Sequence, residues 1–155
     1  MRTITLDKTD KKILAFLQAD GRMTNAELAQ RVNLSASACL RRVQNLETAK
    51  VISGYVALVA QEAVGRPTNV FVEVTLKSQS EESLRTFEGA ARACPEIMEC
   101  YLMSGDADYL IRVVAANSED YERIHRQHLT VLPGVARIRS SFALRAVSKK
   151  TALDF

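Results

Sequence analysis

The sequence predicts an α+β protein of two domains: an N-terminal winged helix-turn-helix over residues 1–60 and a C-terminal ferredoxin-like βαββαβ domain with an antiparallel sheet over residues 69–155. Three observations carry this. Before residue 50, helix-period apolar stripes are each preceded by a capping residue. Between residues 61 and 68 the chain carries Gly65 and Pro67 and loses helical period, which places a linker there. Beyond it, strand-type alternation and helix-type periodicity follow one another as β, α, β, β, α, β, the split-βαβ order.

The first domain builds up as follows. Asp7 precedes Ile13, Leu14, Phe16 and Leu17 on adjoining helical positions, and Gly21 follows where a left-handed cap would end the helix. Thr24 and Glu27 stand at capping-box spacing before Leu28, Ala29 and Val32. Asn33 suits a tight turn, and Ser35 can cap a third helix with Cys39, Val43 and Leu46 on its apolar side. From residue 25 to 44 the small Ala29 sits where two helices must cross closely, and Leu28, Val32, Leu34, Cys39 and Val43 lock the pair; this is helix-turn-helix spacing. Val51 to Leu58, broken by Ser53-Gly54, reads as a β segment of the kind that forms a small wing.

Such a unit lays its second helix in the major groove and turns that helix's N-terminal residues toward base edges. The candidate DNA-contacting residues are therefore Ser35, Ala36, Ser37, Ala38, Arg41, Arg42, Gln44, Asn45 and Lys50. Arg41 is suited to bidentate readout of guanine, Arg42 or Lys50 to phosphate. Charge agrees. Residues 1–60 hold nine Lys/Arg against five Asp/Glu, whereas residues 61–155 hold twelve against thirteen, so the positive excess of this +3 chain lies in the first domain.

In the second domain, Val70, Val72, Val74 and Leu76 alternate with Phe71, Glu73 and Thr75. Ser80 caps a helix carrying Leu84, Phe87, Ala91 and Cys94. Ile97–Met103 and Tyr109–Val114 are strands joined by the turn at 104–108. Ser118 caps a second helix with Tyr121, Ile124 and Leu129, and after Pro133-Gly134 the last strand runs from Val135 to Arg145. Both helices belong on one face of the sheet. Strands two and three are apolar in both alternation phases, so the uncovered face is expected to be covered by another subunit's sheet, giving a homodimer. Size points the same way, because domains below roughly 70 to 80 residues gain much from a partner.

Several functions are excluded. Cys39, Cys94 and Cys100 form no CxxC pair, the N-terminal residues form no apolar segment, and no run approaches the roughly 20 residues of a membrane helix; a soluble protein of a reducing cytoplasm, with no membrane association, is expected. His125 and His128 have a spacing that could present two zinc ligands, but no cysteine or carboxylate pair completes a site, and no metal or cofactor is expected. No Ser/His/Asp ordering or phosphate loop is present, so the chain is not expected to be an enzyme. The second domain lacks paired sheet aromatics and a basic surplus, which disfavours RNA.

Taken together, the two halves resemble the Lrp/AsnC, or feast/famine, family of transcription regulators. LDKTDKKIL, DGRMTNAELAQRVNLS, CLRRVQNLE and VISGY resemble its DNA-binding half; VFVEVTL, MECYLMSGDADYLIRV, LPGV and RSSFALRAV resemble its sensing half. The resemblance implies a dimer that assembles further, often to an octamer of four dimers in a ring, and an amino-acid effector bound between sensing domains. It further implies that the effector site involves the turn, here Ser104, Gly105, Asp106, Asp108 and Tyr109, with Ser141 and Phe142 near the ligand's side chain. Turn N–H groups can hold a carboxylate and an aspartate an ammonium. The chain departs from the family pattern at Ala36 and Ala38, where relatives often have proline, and at Lys50, where glycine is common. The competing reading is a ligand-independent architectural DNA-binding protein whose second domain only oligomerises.

Overall fold

The computed structural model describes residues 5–155, which form two compact units: residues 5–58 with 147–155, and residues 59–146. The last nine residues, expected with the second domain, thus cluster with the first. There the Gln18 side chain donates to the Leu153 carbonyl at 3.0 Å and accepts from its N–H at 2.7 Å.

The first unit contains α1 (Lys8–Ala19), α2 (Asn25–Arg31) and α3 (Ala36–Thr48). Each begins on the side chain the sequence offers. The Asp7 carboxylate accepts from the N–H groups of Thr9 and Asp10, both at 2.8 Å, and Asp10 closes the box by accepting from the Asp7 N–H. Thr24 and Glu27 form the second box, and the Ser35 hydroxyl accepts from the Ala38 N–H. Ile13, Leu14, Leu28, Ala29, Val32, Cys39 and Leu46 make the core.

Helices α2 and α3 end alike. The N–H of Leu34 donates to the Ala29 carbonyl at 2.9 Å with Asn33 at φ 56°, and the N–H of Val51 donates to the Leu46 carbonyl at 2.9 Å with Lys50 at φ 60°. Both are Schellman closures, which need a left-handed residue; asparagine accepts that conformation readily and lysine does not. Lys50 therefore occupies a place made for glycine.

Two expectations fail here. Gly21 is not left-handed: α1 exits through Asp20 at φ −146°, whose side chain accepts from the Arg22 N–H at 2.9 Å, so a side-chain turn replaces the glycine cap. Nor does a wing form. Among the described residues, no strand occurs between 51 and 60, because Val51 and Ile52 close the α3 cap and the segment beyond finds no ladder partner in its own chain. It is held through Tyr55, whose hydroxyl donates to Glu47 at 3.0 Å; desolvation, with Glu47 beside it, pushes this phenol up to about 12.

The second unit contains β1 (Thr68–Leu76), α4 (Glu81–Ala93), β2 (Ile97–Leu102), β3 (Tyr109–Ala115), α5 (Ser118–Ile124), a π turn at His125–Leu129, and β4 (Val135–Phe142). The sheet order is β2-β3-β1-β4 with every pairing antiparallel, the ferredoxin-like arrangement. Val70, Val72, Val74, Tyr109, Ile111 and Val113 pack with Phe87 and Ala91 of α4 and with Tyr121, Ile124 and Leu129, so both helices cover one face. Asn117, not Ser118, caps α5, accepting from the Asp120 N–H at 2.9 Å. Strand β4 stops at Phe142 rather than Arg145: β1 begins at Thr68, and the Ala143 N–H bonded to the Asn69 carbonyl makes the last rung.

Candidate nucleic-acid interface and ligand turn

The two faces of α3 differ in exposure. Cys39 and Leu46 are buried and Val43 is half-buried, whereas Ser35, Ala36, Ser37, Arg41, Gln44 and Asn45 are exposed. Asn25 donates its side-chain amide to the Ala36 carbonyl at 2.8 Å, tying the start of α3 to α2 and fixing where these residues point. Arg41 has no ion-pair partner among the described residues. A guanidinium held out from a rigid helix beside an amide and a small hydroxyl has the donors that major-groove base edges require.

Arg42, expected at phosphate, is committed elsewhere. Its Nη1 donates to Asp7 Oδ2 at 2.8 Å and Asp10 Oδ1 at 2.7 Å, fastening α3 to the capping box of α1. The Asp10 backbone N–H and then this guanidinium hold the Asp7 carboxyl below its usual range. Two carboxylates already pair with Arg42, which makes it a residue that positions α3 against α1. Ala38 is half-buried with its N–H on Ser35, and Lys50 is exposed just beyond the end of α3.

The turn between β2 and β3 is the second feature. Ser104, Gly105 and Asp106 are exposed and line a cavity of about 320 Å³ together with Glu73, Thr75, Arg137 and Arg139. The two arginines stand on β4 opposite Thr75 and Glu73, and Arg139 pairs with Glu73 at 2.7 Å. Sequence reading missed them. Their alternation with Ile138 shows that they share a face, but not that this face adjoins the turn, because register across the sheet is set by pairing.

Asp108 stands apart from Asp106. It is buried, and its carboxylate accepts from the Leu76 N–H and from the Gln79 amide, both at 2.7 Å. Its own N–H donates to the Val74 carbonyl at 3.0 Å, and its carbonyl accepts from Met103 at 2.8 Å. Its N–H and one carboxylate oxygen hold the turn against the end of β1, the other oxygen reaches Gln79, and its carbonyl closes the turn on Met103. Tyr109 also borders the cavity, while its ring lies 4.4 Å from that of Phe87 in the core and its hydroxyl donates to Glu88 at 2.9 Å. Burial raises that phenol's pKa well above its ordinary value.

Ser141 and Phe142 are not brought to the turn. They pair with Phe71 and Val70, three or four residues along β1 from the Val74 that anchors the turn, a separation of roughly 10 Å or more at strand rise. They also point to opposite faces, Phe142 meeting the Tyr121 ring at 5.2 Å. His125 and His128 lie on the π turn, and no cluster of three or more metal-ligating side chains occurs among the described residues.

A helix-turn-helix whose third helix exposes Arg41, followed by a ferredoxin-like domain with a cavity at its turn, defines a two-domain DNA-binding regulator. Comparison gives the family. Residues 6–47 match the AsnC-type helix-turn-helix domain and residues 69–153 the Lrp/AsnC ligand binding domain; the chain belongs to the Lrp/AsnC family of transcriptional regulators. It is 42% identical over 147 residues to the Bkd operon transcriptional regulator of Pseudomonas aeruginosa, covering 95% of this chain and 96% of the relative. It is 41% identical over 144 residues to the leucine-responsive regulatory protein of Rhizobium meliloti, covering 93% and 92%. Among solved structures, a transcriptional regulator of Neisseria meningitidis in complex with L-Met superposes with a TM-score of 0.90 at 36% identity, covering 97% of both chains. An AsnC family regulator from Agrobacterium tumefaciens gives 0.91 at 36% identity, covering 96% and 97%. The full span of these matches carries the predicted α+β class and regulator function.

Proposed function

We propose that this chain is a sequence-specific regulator whose α3 reads duplex DNA and whose assembly and operator affinity respond to an amino acid bound at the β2–β3 turn. The observation that supports DNA reading best is the split surface of α3, anchored on one side by Arg42 and the core and presenting Ser37, Arg41, Gln44 and Asn45 on the other. For the ligand, the support is the cavity at Ser104, Gly105 and Asp106. Arg137 and the turn N–H groups are placed to hold a carboxylate, and Asp106 an ammonium. The solved relative with L-Met supports an amino acid as the class.

The assembled form is a homodimer on the open sheet face, associating further toward an octamer. Phe71, Tyr101 and Met103 are exposed on the uncovered side of the second unit, interleaved with the Glu73–Arg139 and Glu99–Arg112 pairs. An apolar face laced with satisfied ion pairs suits a self-complementary two-fold contact. Because Ser141 and Phe142 lie away from the turn, they join the ligand site only if supplied by a neighbouring subunit. The test is equilibrium binding of the purified oligomer to in-vitro-selected duplexes and scrambled controls, with and without each common amino acid. Selective binding altered by one class of amino acid is expected. Salt-sensitive, sequence-blind binding indifferent to every amino acid would overturn the reading and favour a purely architectural role.

A further inference from the structure

Leu40 is a large apolar side chain on the reading helix, and it is 46% exposed. Among the described residues it is the one large hydrophobic on any helix that is left this open. The others with comparable exposure lie on strands, in loops or in the C-terminal segment. A single exposed leucine is ordinary on a surface with no task. This one lies between Ser37 and Gln44, at i−3 and i+4, on the face assigned to base edges. At about 100° per residue, Leu40 stands about 60° to one side of Ser37 and Arg41 about 40° to the other. The polar side chains of this face supply donors and acceptors, and Leu40 supplies the only aliphatic bulk among them. Duplex DNA presents one aliphatic group in its major groove, the C5-methyl of thymine.

We infer that Leu40 is a specificity-determining residue that packs on a thymine methyl group, next to the base pair approached by Arg41. The inference rests on α3 being the reading helix, and it adds an apolar contact to the polar face. Burying a methyl against Leu40 favours thymine over an otherwise identical base lacking it by about 0.8 kcal/mol, which is about four-fold per half-site. Because Leu40 already stands half in water, truncating it leaves the Cys39–Leu46 core intact.

The test is a thymine-to-deoxyuridine scan of an operator selected in vitro by the native oligomer, read as binding affinity at fixed salt for native protein, Leu40→Ala and Leu40→Met. The scan removes single methyl groups without altering any hydrogen-bonding edge. The proposal expects one thymine per half-site whose replacement weakens native binding about four-fold, a sensitivity abolished in Leu40→Ala and kept by Leu40→Met, with all three proteins melting alike. It is overturned if no position is methyl-sensitive in the native complex, or if Leu40→Ala shows the same sensitivity. Either result leaves operator selectivity measurable, so failure here is distinct from failure of DNA reading.

Discussion

Replacing Asp108 with alanine removes the carboxylate that accepts from the Leu76 N–H and the Gln79 amide, both at 2.7 Å, in a site where Asp108 is 7% and Leu76 6% exposed. Without that carboxylate the Leu76 N–H loses its acceptor in a buried position. An unmet buried donor costs about 1–3 kcal/mol, and the loss lies toward the upper end because the acceptor is charged. The expected destabilisation of the second unit is about 2–3 kcal/mol, a fall in Tm of about 10 °C or more at fixed protomer concentration. Asp108→Asn keeps a carbonyl for Leu76, and Gln79 can rotate its amide to match, so the expected loss is about 1 kcal/mol or less. Denaturant unfolding checks both values. The pair also separates two roles. If Asp108 only braces the turn, Asp108→Asn retains the amino-acid response found by thermal-shift screening; if its charge held a ligand ammonium, Asn would abolish that response as fully as Ala. A change below about 0.5 kcal/mol in Asp108→Ala would refute the brace.

Other outcomes follow from the first unit. Lys50→Gly relieves a left-handed lysine and is expected to stabilise by about 1 kcal/mol, whereas Asn33→Gly is near neutral, as melting of the two variants will show. Arg42→Ala loses both bonds to the α1 capping box and is expected to lower stability by about 1 kcal/mol without changing the slope of log affinity against log salt. Arg41→Ala leaves Tm unchanged and lowers discrimination by about 1–3 kcal/mol at one base pair, as competition binding would measure. The carboxyls of Asp7, Glu27 and Asp120 are all held low by hydrogen bonds and neighbouring arginine or threonine groups. Their stabilisation is complete above the unfolded carboxylate range near about 4 and disappears as pH falls through their lowered folded values. Tyr55 has the opposite sign: raised from 10.0 to about 12, it stabilises below pH 10.0 and loses that contribution as pH rises through 12, a decline absent in Tyr55→Phe.

What the sequence made legible was local. Ser35, Thr24 and Asp7 announce helix starts because each satisfies a donor two or three residues away, and the alternation of β1 announces its buried face. Asn33 announces a left-handed turn because asparagine accepts that backbone conformation readily. Misreadings fell where a residue had two local solutions or a distant partner. Gly21 was unnecessary because Asp20 turned the chain with its own side chain, and the 51–58 segment had strand composition but no strand to pair with; nothing in the sequence showed that Arg42, assigned to phosphate, meets two α1 carboxylates thirty-two and thirty-five residues away. In the turn, Asp106 and Asp108 are alike in sequence, and only the register of β1 against β3 makes one exposed and the other a buried brace.

The central claim is that the exposed face of α3 reads base pairs, and selection of random duplexes by the native oligomer tests it most directly. The account predicts enrichment of a two-fold symmetric motif with half-sites about one helical turn or a multiple apart, and loss of preference at one defined position in each half when the selection is repeated with Arg41→Ala. A pool that stays unselected while binding tightly at low salt, or an Arg41→Ala motif identical to the native one, would contradict it.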